Sequence, residues 1–233
     1  MKAMVLIAAS VVRQQRWPLV LLLGWLIASA ALTAGGAHDL FADDVSFLYR
    51  QQAAYGVAFA LILSTSALYN ERRSRRILLV LSKAVTRSQY LGGLLLGVVF
   101  SLTAYGAAMG VAGEWMFAQA HLPVAAVWPV AVSVVAACVL TASLAVFYAT
   151  FMSPFFCVAA TAVTLALPGA LAQLAAPAWE SVLPVFPLMT RVMGDAGMNR
   201  LPQLILLAIA QSVALWVLAS WIFSRRDIAV ALE

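Results

Sequence analysis

Residues 71–117 read ERRSRRILLVLSKAVTRSQYLGGLLLGVVFSLTAYGAAMGVAGEWMF and join a strongly basic segment to a long apolar one. The basic part, which ends at Arg87, holds six of the 14 Lys and Arg residues of the chain. The apolar part, residues 91–117, exceeds the roughly 20 residues that a helix needs to cross the hydrocarbon core of a bilayer. A short basic loop beside such a segment is typical of the cytoplasmic side of a membrane protein.

The composition of the whole chain agrees with this interpretation. Hydrophobic residues make up 64% of the 233 residues and charged residues 10%, and the mean hydropathy is +0.98. Soluble domains average about 25% charged residues. We therefore expect an all-α integral membrane protein with one transmembrane domain over residues 1–233. The net charge of +5 then reflects basic residues that face anionic lipid headgroups, not nucleic acid.

Apolar runs predict six membrane-spanning helices, at residues 18–34, 53–69, 91–117, 125–151, 154–175 and 201–223. Residues 1–16 are basic and amphipathic, and we expect them to form an interfacial helix. The alternative for the N-terminus is a signal peptide cleaved near Ala28-Ser29-Ala30. Glu114 is the only charged residue within the six spans. Cys138 and Cys157 also fall in apolar runs, where packing is the expected role.

The distribution of Lys and Arg predicts the orientation. Eleven of the 14 fall in the N-terminus, the loop between the second and third spans, and the C-terminus, and three fall on the other side. Because cytoplasmic loops carry the excess of basic residues, we expect both termini and the basic loop, residues 70–90, in the cytoplasm. A bacterial inner membrane is the expected location.

Several chemistries are excluded or disfavoured by the residues present. The only two lysines, Lys2 and Lys83, follow no glycine-rich phosphate loop, so the chain has no Walker A motif for ATP hydrolysis. The two histidines, His38 and His121, lie in separate predicted outer loops. The predicted spans contain no carboxylate pair and no Asp–His relay that could serve proton-coupled transport. A divalent cation on Asp39, Asp43 and Asp44 is an alternative to a solvated acidic loop.

The predicted outer segment, residues 177–200, is too apolar for a solvated linker and too rich in proline for one helix. We expect it to fold back onto or into the membrane face as a re-entrant element. Its Met189, Met193 and Met198, with Met116 and His121, leave open a copper site, because thioethers suit Cu(I). Flexible packing by methionine is the other interpretation, and we expect no metal.

Small residues within the spans predict where helices approach closely. The sequences Gly93-Leu94-Leu95-Leu96-Gly97 and Gly106-Ala107-Ala108-Met109-Gly110 are expected to place glycines on one face of the third span. Pro168-Gly169 predicts a kink in the fifth span, which is either a gating hinge or a tolerated irregularity.

Residues 71–91 resemble the cytoplasmic segment of type-2 ABC transporter permeases, most closely those grouped with multicopper-enzyme maturation. Such permeases carry an acidic residue, an apolar run and a Ser-x-Pro-Val-Ser/Thr-Arg-x-x-Tyr-Leu pattern before the third span. The chain matches the pattern at six positions: Ser82, Val85, Thr86, Arg87, Tyr90 and Leu91. It departs at Ala84, where proline is usual, and at residues 75–77, where Gly-Thr-Leu is common. Residues 223–228 also resemble the end of these permeases.

The resemblance implies a non-catalytic membrane subunit coupled to a separate cytoplasmic ATPase, which would bind the ATP and Mg²⁺. No cofactor in this chain and no catalytic residue are expected. The coupling residues would be Glu71, Arg72, Arg73, Arg76, Leu78, Leu81, Ser82, Arg87 and Tyr90. The gate or hinge would be formed by Pro168, Gly169, Pro184, Phe186 and Pro187. Two copies, or one copy and a related permease, would enclose the transport path within the lipid bilayer.

Other interpretations stay open. A plain positive-inside loop would account for the arginines, and a membrane-embedded scaffold or assembly factor would share the composition. A lipid-modifying enzyme would have to use Glu114, His121 and the acidic group at residues 39–44. Apolar walls suit a hydrophobic or amphipathic substrate better than a small ion, and export is the expected direction.

Overall fold

The computed structural model of the chain describes residues 2–36, 42–73, 86–174, 183–190 and 200–225. Within these ranges the secondary structure is helical, with no strand. The helices are α1 (Lys2–Gln14), α2 (Arg16–Gly36), α3 (Ala42–Arg73), α4 (Arg87–Gln119), α5 (Val127–Ala149), α6 (Pro154–Leu174), α7 (Val185–Thr190) and α8 (Leu201–Arg225). A 3₁₀ turn, Val124–Ala126, leads into α5.

Four helices are long and apolar enough to cross a membrane, namely α3, α4, α5 and α8. A fifth candidate is the pair formed by α1 and α2, which are bent by 59° relative to each other. The apolar part of α6, Pro154–Pro168, is shorter than these candidates. The architecture is therefore that of an all-helical protein compatible with a membrane. The sixth span stays a prediction, and so does the kink at Pro168, which lies inside α6.

α3 and α4 are longer than the apolar runs within them. They contain 32 and 33 residues, and at 1.5 Å per residue each is about 50 Å long. A bilayer core is about 30 Å thick, so both helices extend past it or tilt strongly. Asp43 and Asp44, expected in a solvated loop, lie in the first turn of α3. Negative charge is favourable there because it faces the positive end of the helix dipole.

α5 is the central helix of the protein. It packs against α3, α4, α6, α7 and α8, and the buried share of its apolar stretch is 78%, against 17% for α8. Small side chains on α5 allow so many neighbours to approach: Ala131, Ala136, Ala137, Ala142, Ser143 and Ala145 are all buried. The outer helices consequently leave large apolar faces exposed to the surroundings of the protein.

The first glycine pair of α4, Gly93 and Gly97, packs closely against α1. A Cβ atom placed on Gly97 would lie 2.7 Å from Val11 Cβ and 2.8 Å from the carbonyl oxygen of Ala8. A Cβ on Gly93 would lie 2.9 Å from Ile7 Cβ. Such separations are too short for real side chains, so α1 reaches this position only because both residues are glycine. The prediction of close helix contact at these residues is thus supported by the geometry.

The prediction that the two glycine pairs of α4 lie on one face is wrong, because the pairs face different helices. Gly110 faces the ring of Trp128 on α5, while Gly97 faces α1. Nine residues separate Gly97 from Gly106, which is two and a half turns of helix, so the pairs point in opposite directions. One face of α4 receives α1 and the other receives α5.

Two buried glutamines join helices through hydrogen bonds. Gln15, at the break between α1 and α2, donates to the carbonyl of Leu63 at 3.4 Å and accepts from the Ser101 hydroxyl at 3.3 Å. Gln52 donates to the Ser29 hydroxyl at 2.7 Å and accepts from the Tyr105 hydroxyl at 3.3 Å. Because polar groups in an apolar layer need partners, these contacts fix how α1, α2, α3 and α4 pack together.

Replacing Gly97 by alanine should destabilise the protein, and the same change at Gly24 should not. A Cβ at Gly24 would meet nothing within 4 Å, and alanine is the better helix former by about 1 kcal/mol. At Gly97 the new methyl group collides with backbone, and overpacking of this kind costs about 1–3 kcal/mol. Thermal unfolding of the purified variants in detergent measures the difference.

We expect the melting temperature of G97A to fall by several degrees and that of G24A to stay equal or to rise. Equal melting temperatures for the two variants would contradict the proposed packing of α1 on α4.

Candidate coupling and gating sites

Thr86 and Gln89 form a cap at the first turn of α4. Thr86 is the N-cap residue, and its hydroxyl accepts a hydrogen bond from the backbone N–H of Gln89 at 3.3 Å. The Gln89 side chain in turn accepts from the backbone N–H of Thr86 at 3.3 Å. This reciprocal capping box satisfies two N–H groups that a helix start leaves unpaired. Helix α4 therefore has a defined beginning at the end of the basic segment.

Arg87 ties this helix start to the end of α8. Its Nη1 atom donates hydrogen bonds to the carbonyl oxygens of Phe223 and Ser224, each at 3.0 Å. These carbonyls belong to the last turn of α8, where no further backbone N–H is available within the helix. A cation at this position is also favourable because the C-terminal end of a helix dipole is negative. Arg87 thus caps α8 from a different helix.

The residues that follow Arg87 are part of the core. Tyr90 and Leu91 are almost fully buried. A Cβ on Gly92 would lie 2.9 Å from the Met4 side chain and 3.5 Å from the ring of Trp216. The beginnings of α1 and α4 and the final part of α8 therefore meet at the basic end of the molecule.

The predicted coupling residues divide into three groups in the structure. Glu71, Arg72 and Arg73 belong to the last turn of α3. Arg87 and Tyr90 belong to the start of α4 and make the contacts described above. The remaining four lie outside the described residues: Arg76, Leu78, Leu81 and Ser82. The described ends of the segment are both helical, so the segment joins the last turn of α3 to the capped start of α4.

Part of the predicted gate packs against α5. Pro184 and Pro187 are buried, and Leu188 of the short helix α7 is fully buried. The hydroxyl of Ser133 on α5 donates to the Leu188 carbonyl at 3.0 Å. Phe186 lies in α7, and Pro168 and Gly169 lie in α6. The described part of the segment, residues 183–190, therefore packs against the protein. The re-entrant arrangement of residues 177–200 stays a prediction, since residues 175–182 and 191–199 lie outside the described residues.

Of the polar residues singled out near the predicted outer side, the structure describes Asp43, Asp44, Glu114 and His121, while Asp39 lies outside the described residues. The Glu114 carboxylate accepts a hydrogen bond from the indole N–H of Trp128 at 2.6 Å. His121 is exposed and adopts a left-handed backbone conformation, φ 54°, in the turn after α4. Among the described residues there is no cluster of three or more His, Cys, Asp or Glu residues that could hold a metal ion.

The methionines of the copper hypothesis are only partly described. Met116 is buried and Met189 is half-buried against the core. Both positions agree with the interpretation that these methionines pack in the core. Met193 and Met198 lie outside the described residues.

Sequence reasoning missed two structural roles at these sites. The pairing of Arg87 with the end of α8 joins residues 136 positions apart, and nothing local in the sequence indicates it. The capping box was visible in the order Thr86-Arg87-Ser88-Gln89, which is the known Ser/Thr-x-x-Glu/Gln signature of a helix start.

Comparison of the chain with protein-family models, with curated proteins and with solved structures gives no match. The geometry therefore defines the class only as an all-helical protein with four or five apolar helices that could span a membrane.

Replacing Arg87 by alanine should loosen the last turn of α8. The change removes two hydrogen bonds from a charged donor, each worth about 1.5–3 kcal/mol before solvent exposure reduces it. Arg13 is the matched control, because it has the same charge, is exposed and lies on α1, outside the last turn of α8. Hydrogen exchange of the amides at residues 219–225 measures the effect.

We expect exchange in R87A to be about tenfold faster, which corresponds to about 1.4 kcal/mol. R87K should show an intermediate rate, because lysine keeps the charge but offers a different donor geometry. If R13A accelerated exchange as much as R87A, loss of positive charge alone would be the cause, and the capping role of Arg87 would be wrong.

Proposed function

We propose that the chain is the membrane-spanning subunit of an ATP-driven transporter of the type-2 ABC class. In this proposal a separate cytoplasmic ATPase binds the segment of residues 71–90, and the transported molecule is hydrophobic or amphipathic. The six-span layout, the cytoplasmic termini and the bacterial inner membrane belong to the same proposal. The observation that supports it most is made at the end of the basic segment, where Thr86 and Gln89 cap α4 and Arg87 bonds to the last turn of α8.

A coupling segment has to transmit movement, and the contacts at the basic end are suited to that. The segment follows the last turn of α3 and ends at the capping box of Thr86 and Gln89. Arg87 then joins α4 to the last turn of α8 by two hydrogen bonds. A force on the segment would therefore act on three helices at once, whereas a loop that serves only to set orientation needs no such connection.

The cavities of the single chain support an assembly of two membrane subunits. Within the described residues, two of the cavities, beside Gln52 and beside Thr65, have volumes of about 10 and 20 Å³, and a larger one of about 540 Å³ is a groove open to the surface between α5 and α8. Sites for small molecules usually measure about 300–1,000 Å³. In this proposal the transport path forms between this chain and a second copy or a related permease. The exposed apolar faces of α2 and α6, which include Leu21, Leu32 and Phe155, are available to lipid or to such a partner.

The proposal predicts that complex formation depends on the basic segment. The variant R72A/R76A/L81A should weaken association with the proposed cytoplasmic ATPase, because truncation of central interface residues costs about 1 kcal/mol or more at each. The control R13A/R225A/L6A removes the same side-chain types from exposed positions elsewhere. Co-purification and stimulated ATP hydrolysis in liposomes are the measurements.

We expect association to weaken by more than about tenfold in the first variant and to stay unchanged in the control. Unchanged association and stimulation in both variants would contradict the coupling role and would favour a membrane scaffold.

A further inference from the structure

An open apolar groove lies between the beginnings of α5 and α8. Its volume is about 540 Å³, within the range of about 300–1,000 Å³ that is usual for ligand sites. The lining is almost entirely apolar and includes Trp128, Val132, Leu201, Ile205, Leu206 and Ile209. Neither the predicted coupling segment nor the predicted gate includes any of these residues.

One wall of the groove is held in place without a ligand. The Trp128 ring lies against Gly110, where an added Cβ would come within 2.8 Å of it. The indole N–H donates to Glu114 at 2.6 Å. These two contacts fix both the plane and the rotation of the ring. A preformed wall lowers the entropy cost of binding, because the protein does not have to order it when the ligand arrives.

The dimensions of the groove match one leaflet of a bilayer. Along α8 it extends from Leu201 to Ile209, which is about 12 Å at 1.5 Å per residue. Half of a hydrocarbon core about 30 Å thick is about 15 Å. The groove begins at the end of the helix that would meet the headgroups, so a chain lying in it would run from the membrane surface towards the midplane.

An arginine directly precedes the first groove residue of α8. Arg200 is exposed and directly precedes Leu201, the first residue of α8 and part of the groove lining. An arginine guanidinium binds phosphate oxygens by two parallel hydrogen bonds, which makes it a suitable headgroup ligand. Positive charge next to an almost entirely apolar groove is complementary to an anionic amphiphile: a phosphate group followed by an acyl chain.

A second copy of the chain fits this surface less well. In a two-fold symmetric dimer the same patch of both subunits meets at the interface. If the groove were at the centre of such an interface, Arg200 of each copy would come close to the other, and like charges repel. A lipid phosphate instead compensates the charge.

We propose that the α5–α8 groove binds one acyl chain of a membrane phospholipid, whose phosphate is bound by Arg200. This inference goes beyond the transport proposal and does not depend on an ATPase. The ligand would come from the leaflet in which α5 and α8 begin.

Native mass spectrometry of the full chain in detergent tests the proposal. The probes are dioleoylphosphatidylglycerol and dioleoylglycerol, which share their acyl chains and differ in the phosphate headgroup. L206W fills the groove from an exposed position, and R200Q removes the cation. The controls are V217W, at another exposed position of α8 outside the groove, and R225Q.

We expect the unmodified chain to retain the phospholipid about tenfold better than dioleoylglycerol, because a hydrogen bond to a charged group supports such a ratio. L206W should lose the phospholipid, and R200Q should bind both probes equally, while both controls behave like the unmodified chain. Retention unaffected by both L206W and R200Q would overturn the proposal. So would an L206W variant that changes a dimer into a monomer while keeping its lipid, since the groove would then be a subunit interface.

Discussion

The close approach of α1 to α4 is the constraint on which the rest of this structure depends. Apolar helices in a membrane gain no hydrophobic energy from contacting one another instead of lipid, so they associate through tight packing and buried hydrogen bonds. Gly93 and Gly97 supply the tight packing, because only glycine lets α1 reach this depth. Gln15 then turns inward at the break between α1 and α2, where it bonds to α3 and α4. The direction of α2 and the contacts of Gln52 follow from that position.

The same constraint organises the basic end of the molecule. Because α1 lies against Gly92 and Gly93, its first turn comes near Trp216 of α8. Arg87 joins the start of α4 to the end of α8 by its two hydrogen bonds. Three helices that are distant in sequence are therefore connected within a few residues of the segment that carries the positive charge. Displacement of that segment would be transmitted through contacts between rigid helices, since the described ends on either side are themselves helical.

Much of the helix pattern could be predicted from apolar runs, but helix ends and partners could not. The run at residues 201–223 coincides closely with Leu201–Arg225, because α8 is apolar over nearly its whole length. The run at residues 53–69 underestimates α3, which begins at Ala42. Hydropathy measures the preference of a side chain for apolar surroundings and not its backbone conformation, so the polar part of a helix gives no signal. The glycine pattern likewise predicts a close contact without naming the neighbour, and the two glycine pairs were assigned to one face although their spacing places them on opposite faces.

The contacts of Arg87 and its neighbours show which of the residues that match the permease pattern have a structural role within this chain. Four of the six matching positions have structural roles within this chain. Thr86 caps α4, Arg87 caps α8, and Tyr90 and Leu91 are buried in the core. A residue whose polar atoms already bond to its own protein contributes little direct binding to a partner, since those bonds would first have to break. An ATPase would consequently be bound by the residues between Glu71 and Val85, while Arg87 would act as a positioning residue that connects the bound segment to α8.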